Sequence, residues 1–227
     1  AVSRIEHHAE VILSSIAKRR SDLVWRFFGE RLRQKKGSDR EQYEAIPYRF
    51  SGLEKALAQT PDIAVPLVRT WYEPERAAFF QFEGGRLLHN VFGDFPEGFA
   101  TALSRVASNG TTDDIDFVIS ILRNYQGNAR SHEVMKAVAA QLDDDDRRLS
   151  QLEVCFFETG VVSGEFGIAD AYRSKKVEIE PWLNDDRPGV RSFAERAIRN
   201  LDLRIAAEQR RAEQQREMRR REFDRGE

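Results

Sequence analysis

The stretch PWLNDDRPGVRSFAERAIRNL, residues 181–201, decides the fold class of this chain, because it specifies a turn that leads into a helix. Asn184, Asp185 and Asp186 carry side chains that accept hydrogen bonds from the unpaired N–H groups at a helix start. Pro188 follows at the first turn, where the missing N–H of proline costs nothing. The stretch therefore predicts a helix that begins near Pro188.

Apolar residues recur at helical spacing after this turn. The set is Val190, Phe193, Ala194, Ala197, Ile198, Leu201 and Ile205. Spacings of three and four residues place the set on one buried stripe of a helix. Ile179, Trp182 and Leu183 precede the turn and supply a second apolar face. The segment thus predicts an antiparallel helical hairpin with a tight acidic–proline turn.

Helix-start signals recur along the rest of the chain. Ser3 with Glu6, and Ser51 with Glu54, have the spacing of a capping box ahead of apolar residues at helical spacing. Strand signals are nearly absent, and the short segment KVEIE, residues 176–180, fits a strand or a continuing helix equally well. The pattern as a whole predicts an all-α protein.

Three interruptions divide this helical succession. Residues 35–47 are polar and predict a long loop, Gly84-Gly85 predicts a break or kink within a helix, and residues 158–167 form the clearest break. We expect a helical domain over residues 1–205, with a sub-boundary near 158–167. Residues 206–227 are expected to be a charged extension of the last helix.

The 181–201 stretch resembles the second half of a HEAT repeat. The positions that match the HEAT pattern are Leu183, Asp185, Asp186, Pro188, Val190, Arg191, Ala194, Ala197 and Leu201. The resemblance covers one repeat of the HEAT or armadillo type, and the spacing elsewhere is irregular. It implies an all-α, irregular HEAT-like α-solenoid of antiparallel helical hairpins with a long polar C-terminal helix.

The C-terminal segment loses the apolar stripe from Ala206 onward, and only Met218 and Phe223 remain as large apolar residues. Residues 187–227 contain 12 arginines and 8 acidic residues, although the whole chain has a net charge of −2. An Arg-rich polar helix after a HEAT-like array resembles the helical C-terminal regions of large bacterial multidomain ATPases. No nucleotide-binding motif is present, so the resemblance implies that any ATPase would lie upstream of Ala1.

Two general features indicate the context of the chain. It begins with Ala1 rather than Met, and we expect a module of a larger bacterial-type protein. It contains a single cysteine, Cys155, which excludes an internal disulfide and favours a cytoplasmic location. No stretch approaches the roughly 20 apolar residues of a membrane-spanning helix.

We predict a non-catalytic protein-interaction or scaffold module whose partner is another protein or an adjacent domain of the same chain. Aromatic residues crowd positions 71–99, and part of this set can line a groove, as on the concave face of a solenoid. The candidate partner surface is Trp71, Tyr72, Phe79, Phe82, Arg210, Arg211, Arg216, Met218, Arg220 and Phe223.

Catalytic, cofactor and metal sites are not expected. His7 and Glu10 are three residues apart in EHHAE, residues 6–10, but a solvated helix surface accounts for them better than a metal site. The run DDDD, residues 143–146, lacks the spacing of a calcium loop and predicts a polar turn before a helix. Cys155 lies in an apolar run and is expected to be a buried, inert thiol.

Two other functions remain as alternatives. The first is a nucleic-acid-binding HEAT-like domain of the DNA-repair type. It would use a basic face near the N-terminus or the Arg-rich tail, although interleaved acids and the net charge of −2 oppose it. The basic residues near the N-terminus are Arg19, Arg20, Arg26, Arg31, Arg33, Lys35 and Lys36. An enzyme of unrecognised type is the third possibility.

Overall fold

The computed structural model describes the backbone of residues 2–33 and 51–225, and the side chains of residues 8–32 and 52–221. All regular structure in these residues is helical and no strand occurs among them, which confirms the all-α prediction for the described part of the chain. The segment 176–180 is helical. The predicted loop 35–47 and the Ser3–Glu6 and Ser51–Glu54 side-chain pairings lie outside the described residues.

The α-helices are named here in chain order. They are α1 (Val2–Arg33), α2 (Ser51–Leu57), α3 (Pro61–Arg69), α4 (Ala77–Phe80), α5 (Arg86–Val91), α6 (Glu97–Ala107), α7 (Thr112–Leu122), α8 (His132–Ala139), α9 (Arg148–Phe157), α10 (Gly167–Ile179) and α11 (Pro188–Arg225). Short 3₁₀ turns precede α4, α8 and α11. The chain forms two compact units, unit 1 (Ala1–Val138) and unit 2 (Ala139–Glu227).

Helix α1 is interrupted at Arg20, whose φ of −143° and ψ of 64° are not helical. Asp22 accepts two hydrogen bonds from the guanidinium of Arg20, at 2.9 and 2.8 Å. Ser21, the next residue, accepts a 2.9 Å hydrogen bond from the hydroxyl of Thr60 just before α3. The second half of α1 is therefore connected to α3 at the point where its direction can change.

A chain of contacting aromatic rings fills the core of unit 1. Trp25 stacks on Phe92, and Phe92 stacks on Phe99 with ring centroids 4.4 Å apart. Phe95 and Tyr125 meet Phe99 at tilted or edge-on angles, which aromatic pairs prefer. The bulky residues that crowd this part of the sequence thus serve mainly as core.

Helices α4 and α5 are joined by a π turn, Gln81–Gly85, and the backbone stays helical through the predicted break. The side-chain amide of Asn124, which follows α7, donates to the carbonyl of Gln81 at 3.4 Å. This hydrogen bond stabilises the π turn. A Cβ on Gly84 would lie 2.6 Å from the Phe80 ring, and one on Gly85 would lie 2.4 Å from the Asn124 amide nitrogen. A side chain at either position would displace the Phe80 ring or the Asn124 amide, so the two glycines permit this close packing.

Helix α7 begins with a capping arrangement that also connects it to α3. The hydroxyl of Thr111 accepts a hydrogen bond from the Asp114 N–H at 3.2 Å. The Asp114 carboxylate accepts from Arg69 of α3 at 2.5 Å, and the Arg69 guanidinium lies over the rings of Tyr72 and Phe117. Hydrogen bonds from Thr111, Arg69 and Asn109 outweigh burial, which acts in the opposite direction, and lower the pKa of Asp114.

Unit 2 contains the stretch that decides the fold class. After α10 a 3₁₀ turn (Glu180–Asn184) leads to Asp185, whose carboxylate accepts from the N–H and guanidinium of Arg187. Arg191 then donates to the carbonyls of Asp185 and Asp186. The acidic turn is thus closed by arginines on both sides of Pro188, where α11 begins.

Helix α11 packs antiparallel on α10. Lys176, near the end of α10, donates to Asp202 at 2.7 Å, and Tyr172, one turn earlier, lies beneath the guanidinium of Arg204. The predicted stripe faces inward, since Val190, Phe193, Ala194, Ala197 and Leu201 are buried. The apolar periodicity of the sequence therefore identified the packed face of α11.

Candidate functional site

A groove in unit 2 lies between the start of α10 and the later half of α11. Its volume is about 420 Å³, within the range of protein pockets that bind ligands. The buried side chains of Ala169 and Ala212 form its floor, and Phe166 and Ile168 form one wall. Ile168 remains 38% exposed, so the groove presents some apolar surface to solvent, although polar groups make up more of its exposed lining.

Charged side chains flank this apolar floor. Arg211, Gln215 and Arg219 project from α11, and Glu165 lies on the opposite wall. Glu208, also in the groove, is 3.7 Å from Arg211 and partly balances its charge. Arg219 has no carboxylate within 4 Å among the described residues. The α11 side is therefore the cationic side of the groove.

The groove is present because the support for α11 ends there. The guanidinium of Arg204 lies over the rings of Phe157 and Tyr172, with centroids 5.1 and 5.8 Å away. Ala212, two turns later, is the last buried residue of α11 in the described part of the chain. The small side chains of Ala169 and Ala212 leave open a space that larger side chains would fill.

A polar network fixes the middle of α11 to α9. Glu153, on α9, is buried and accepts hydrogen bonds from Arg196 at 2.9 Å and from Asn200 at 2.8 Å. Arg196 also donates to Ser150 at 2.8 Å. A buried carboxylate requires such donors, and these two come from successive turns of α11. The network therefore sets the position of α11 along α9.

The far end of α11 is exposed. Every described residue from Glu213 to Arg221 is solvent-accessible, and Met218 is 57% exposed. Residues 204–221 contain seven arginines and three glutamates, a net charge of +4. Four of the predicted arginines, Arg210, Arg211, Arg216 and Arg220, are exposed here, whereas the Phe223 side chain lies outside the described residues.

Unit 1 has a separate exposed aromatic edge, formed by Phe79 and Phe82. Phe82 is 73% exposed on the π turn, and Phe79 is 38% exposed beneath the guanidinium of Arg76, 4.6 Å from the ring centroid. The hollow behind Phe79 has a volume of about 10 Å³, close to the smallest that holds one water molecule. The hollow beside the aromatic edge is thus too small to receive a side chain of a partner.

Two residues of the predicted partner surface, Trp71 and Tyr72, are buried, so the prediction is wrong for these two positions. The Trp71 ring lies against Gly29, where a Cβ would come 2.3 Å from the indole nitrogen, and Tyr72 packs edge-on against Phe80 and Phe117. Burial raises the pKa of Tyr72, with further contributions from Asp116 and Asp113. Their aromatic surface is used within the core of unit 1.

The carboxylate-rich segments have structural partners. Asp146 accepts hydrogen bonds from the N–H and guanidinium of Arg148, and these lower the pKa of Asp146. Asp144 accepts a hydrogen bond from Ser192. Within the described part of the chain, no group of three or more His, Cys, Asp or Glu side chains is placed to hold a metal ion. His7 lies outside the described side chains.

The basic residues near the N-terminus are only partly described. The charge of Arg20 is paired with Asp22, and the guanidinium of Arg31 lies 5.6 Å from the ring centroid of Phe27. Lys35 and Lys36, together with the Arg33 side chain, lie outside the described residues. Cys155, on α9, is buried.

Sequence reasoning missed the wall of the groove. Phe166 and Ile168 lie at the end of the segment 158–167, which the sequence marks only as a break between helices. The available signal was the alanine at position 212, which continues the three-and-four spacing of Leu201, Ile205 and Glu208 and so extends the packed face of α11.

Two further findings complete the description. Among the described helices, none has both the length and the apolar character needed to cross a membrane. Comparison of the chain with protein-family models, with curated proteins and with solved structures finds no match. The proposal of a function accordingly rests on the geometry of the groove.

Proposed function

We propose that this chain is a non-catalytic protein-interaction module and that the groove between α10 and α11 receives a segment of a partner protein or of an adjacent domain. The observation that carries the proposal is the open groove itself, with its apolar floor at Ala169 and Ala212 and a charged rim. Interaction sites combine a desolvated apolar centre with a polar rim in this way.

The size of the groove favours a short segment over a whole domain face. The α11 side runs from Glu208 to Arg219, which is about 17 Å of helix. An occupant of three or four helical turns, or five or six extended residues, spans that length. Helical surfaces in other proteins receive amphipathic segments in grooves of this kind.

For the fold, we propose that the helices form an irregular HEAT-like solenoid of helical hairpins. The support is the resemblance of residues 181–201 to the HEAT pattern, together with the packing of α10 on α11 on either side of the acidic turn. An experimental structure would test this: successive helix pairs stacked in one direction are expected, and a closed globular bundle would contradict it.

The function is tested by selection from a random peptide library displayed on phage, with the full chain as target. We expect groove-dependent binders, defined as peptides that lose binding to the Ile168→Asp variant. Asp at this position lies in the first turn of α10, where an acid is tolerated. Leu203→Asp, at an exposed α11 position that does not line the groove, is the matched control and should retain binding.

A selection without binders, or with binders that are insensitive to Ile168→Asp, would count against the proposal. Circular dichroism of both variants establishes that they are folded before binding is compared. The control shares the apolar-to-acid change and the net charge of the test variant, so a difference between them reports on the groove.

A further inference from the structure

We infer that the occupant of the α10/α11 groove is an acidic amphipathic segment, with an apolar stripe for the floor and Asp or Glu along one flank. This inference rests on the proposed function, since it names the class of partner for the same groove. Its evidence is the sign and the distribution of the charges on α11, whereas the proposed function uses only the presence of a charged rim.

The apolar stripe follows from the floor. Ala169 and Ala212 are small and buried, and Phe166 and Ile168 provide an apolar wall beside them. Apolar side chains placed there remove the exposed surface of Ile168 from water, which is the main source of affinity at such a site. A fully hydrophilic segment would leave this surface uncovered.

The acidic flank follows from the other wall. The far part of α11, residues 204–221, has a net charge of +4, and Arg211 and Arg219 both line the groove. Glu208 lies 3.7 Å from Arg211 and offsets some of its charge, but Arg219 has no described carboxylate within 4 Å. Carboxylates of the occupant would pair with these guanidinium groups through charge-assisted hydrogen bonds.

The facing wall restricts how the segment lies. Glu165 is the one carboxylate on that side of the groove among the described residues, so the acidic flank must face α11 rather than α10. The occupant is therefore expected to be polarised, acidic on one edge and neutral or basic on the other. This asymmetry gives the segment a defined rotation about its own axis.

A second copy of this chain fits the groove less well. Seating the far part of another α11 in it would bring two arginine-rich surfaces together, and like charges across an interface oppose association. A nucleic acid would meet Arg211 and Arg219 but would leave the apolar floor unfilled. Charge complementarity and apolar area together favour the acidic protein segment.

The test uses random peptides of about 16 residues, a length that covers the groove as a helix. Binding of enriched peptides is measured against the full chain, against Arg211→Glu/Arg219→Glu, and against Arg210→Glu/Arg220→Glu. Both double variants change the net charge equally, but only the first alters residues that line the groove. The expected result is enrichment of acidic amphipathic peptides whose affinity falls about tenfold or more in the groove variant and changes little in the control.

Each other outcome has a distinct meaning. Groove-dependent peptides that are neutral or basic would overturn the inference and leave the proposed function intact, whereas a lack of groove-dependent peptides would overturn both. Equal loss of affinity in the two double variants would show a general charge effect and overturn the inference. It is also overturned if the chain dimerises through the groove, or binds duplex DNA more tightly than the peptides, in a way that Arg211→Glu/Arg219→Glu abolishes.

Discussion

The two units of this chain use their aromatic and charged residues in opposite ways. In unit 1 the rings from Trp25 to Tyr125 form a continuous buried cluster. The apolar surface of these rings is therefore covered by other residues of the same unit. In unit 2 a smaller cluster of Phe156, Trp182 and Phe193 is supplemented by ion pairs and hydrogen bonds along α11. These polar contacts fix the position of α11 in unit 2, whereas its described residues after Ala212 are exposed to solvent.

The contrast between the two units indicates where a binding surface can form. The interlocking rings leave no space for a partner in the interior of unit 1, because side chains already fill it at high density. The hollow of about 630 Å³ beside Phe95 and Pro96 is open to solvent at the surface of this unit. A helix held by polar contacts at intervals can extend past its last buried residue, as α11 does beyond Ala212. The groove arises at the end of the supported part of α11.

The largest expected effect on stability comes from removing one ring of the aromatic cluster of unit 1. Phe99→Ala removes a fully buried ring that contacts Phe92, Phe95 and Tyr125, and we expect a loss of about 3–5 kcal/mol in the free energy of unfolding. Phe193→Ala removes an equally buried ring from unit 2, where Trp182 is its one described ring neighbour.

The loss for Phe99→Ala should exceed that for Phe193→Ala by about 1 kcal/mol or more, because aromatic pairs add about 0.5–1.5 kcal/mol each beyond area burial. Hydrogen exchange, resolved by segment, measures the two losses separately within residues 51–138 and 139–227. Equal losses would remove the distinction between an aromatic and a polar-supported core.

The second prediction concerns the start of α11. A Cβ at Gly189 would lie 2.5 Å from the carbonyl oxygen of Ala139, a backbone atom that cannot move alone. Gly189→Ala is therefore expected to destabilise unit 2 by about 1–3 kcal/mol. Gly167→Ala is the matched control, because its nearest neighbour, Val162, is at an ordinary distance of 3.7 Å. A thermal unfolding midpoint that falls equally in both variants would contradict this account.

The third prediction concerns the polar contact within unit 1. Asp114→Asn weakens the pairing with Arg69, and we expect a loss of about 1–2 kcal/mol at neutral pH. Asp113→Asn, at a half-exposed neighbour 3.9 Å from Arg69, should cost much less. Urea unfolding of the three proteins measures the difference.

The Arg69–Asp114 pair also predicts how the free energy of unfolding depends on pH. The pKa of Asp114 is lowered in the folded protein, so its contribution to stability is present above the ordinary value of 3.8 and is lost as pH falls through the folded value. The stability gap between the wild type and Asp114→Asn should therefore shrink in acid. A gap that stays constant well below pH 3.8 would show that ionisation of Asp114 is not its source.

The smallest expected effect is on the aromatic edge of unit 1. Phe82→Ala should change stability by less than about 0.5 kcal/mol, because the side chain is 73% exposed. Phe80→Ala, two residues earlier, removes a buried ring that touches Tyr72 and Phe117, and a loss of several kcal/mol is expected, roughly 3–5. Thermal unfolding distinguishes them, and a large loss for Phe82→Ala would mean that this ring is part of the core.

Some features of this protein could be predicted from local sequence because their causes are local. The acidic turn, the start of α11 at Pro188 and its apolar stripe depend on capping, on the fixed φ of proline and on 3.6-residue periodicity. The break over residues 158–167 is likewise visible in composition, and α10 begins at Gly167. The interruption of α1 at Arg20 lies directly before Ser21 and Asp22, two residue types that are common at helix starts.

Other features depend on residues that are distant in sequence. Nothing local distinguishes the buried rings of Trp71 and Tyr72 from the exposed ring of Phe82, because burial is decided by Gly29 and Phe117 on other helices. Phe95 adopts a positive φ of 50°, held by the packing of its ring on Phe99 and Tyr125.

The helical character of the described chain and the buried face of α11 follow from the amino-acid sequence, since hydrogen bonding and apolar periodicity act within a few residues. The point where that buried face ends, and the arginines that border the groove, depend on contacts between distant segments of the chain. Whether a surface is covered depends on the presence of a neighbouring element, and among the described residues α11 has no buried side chain after Ala212.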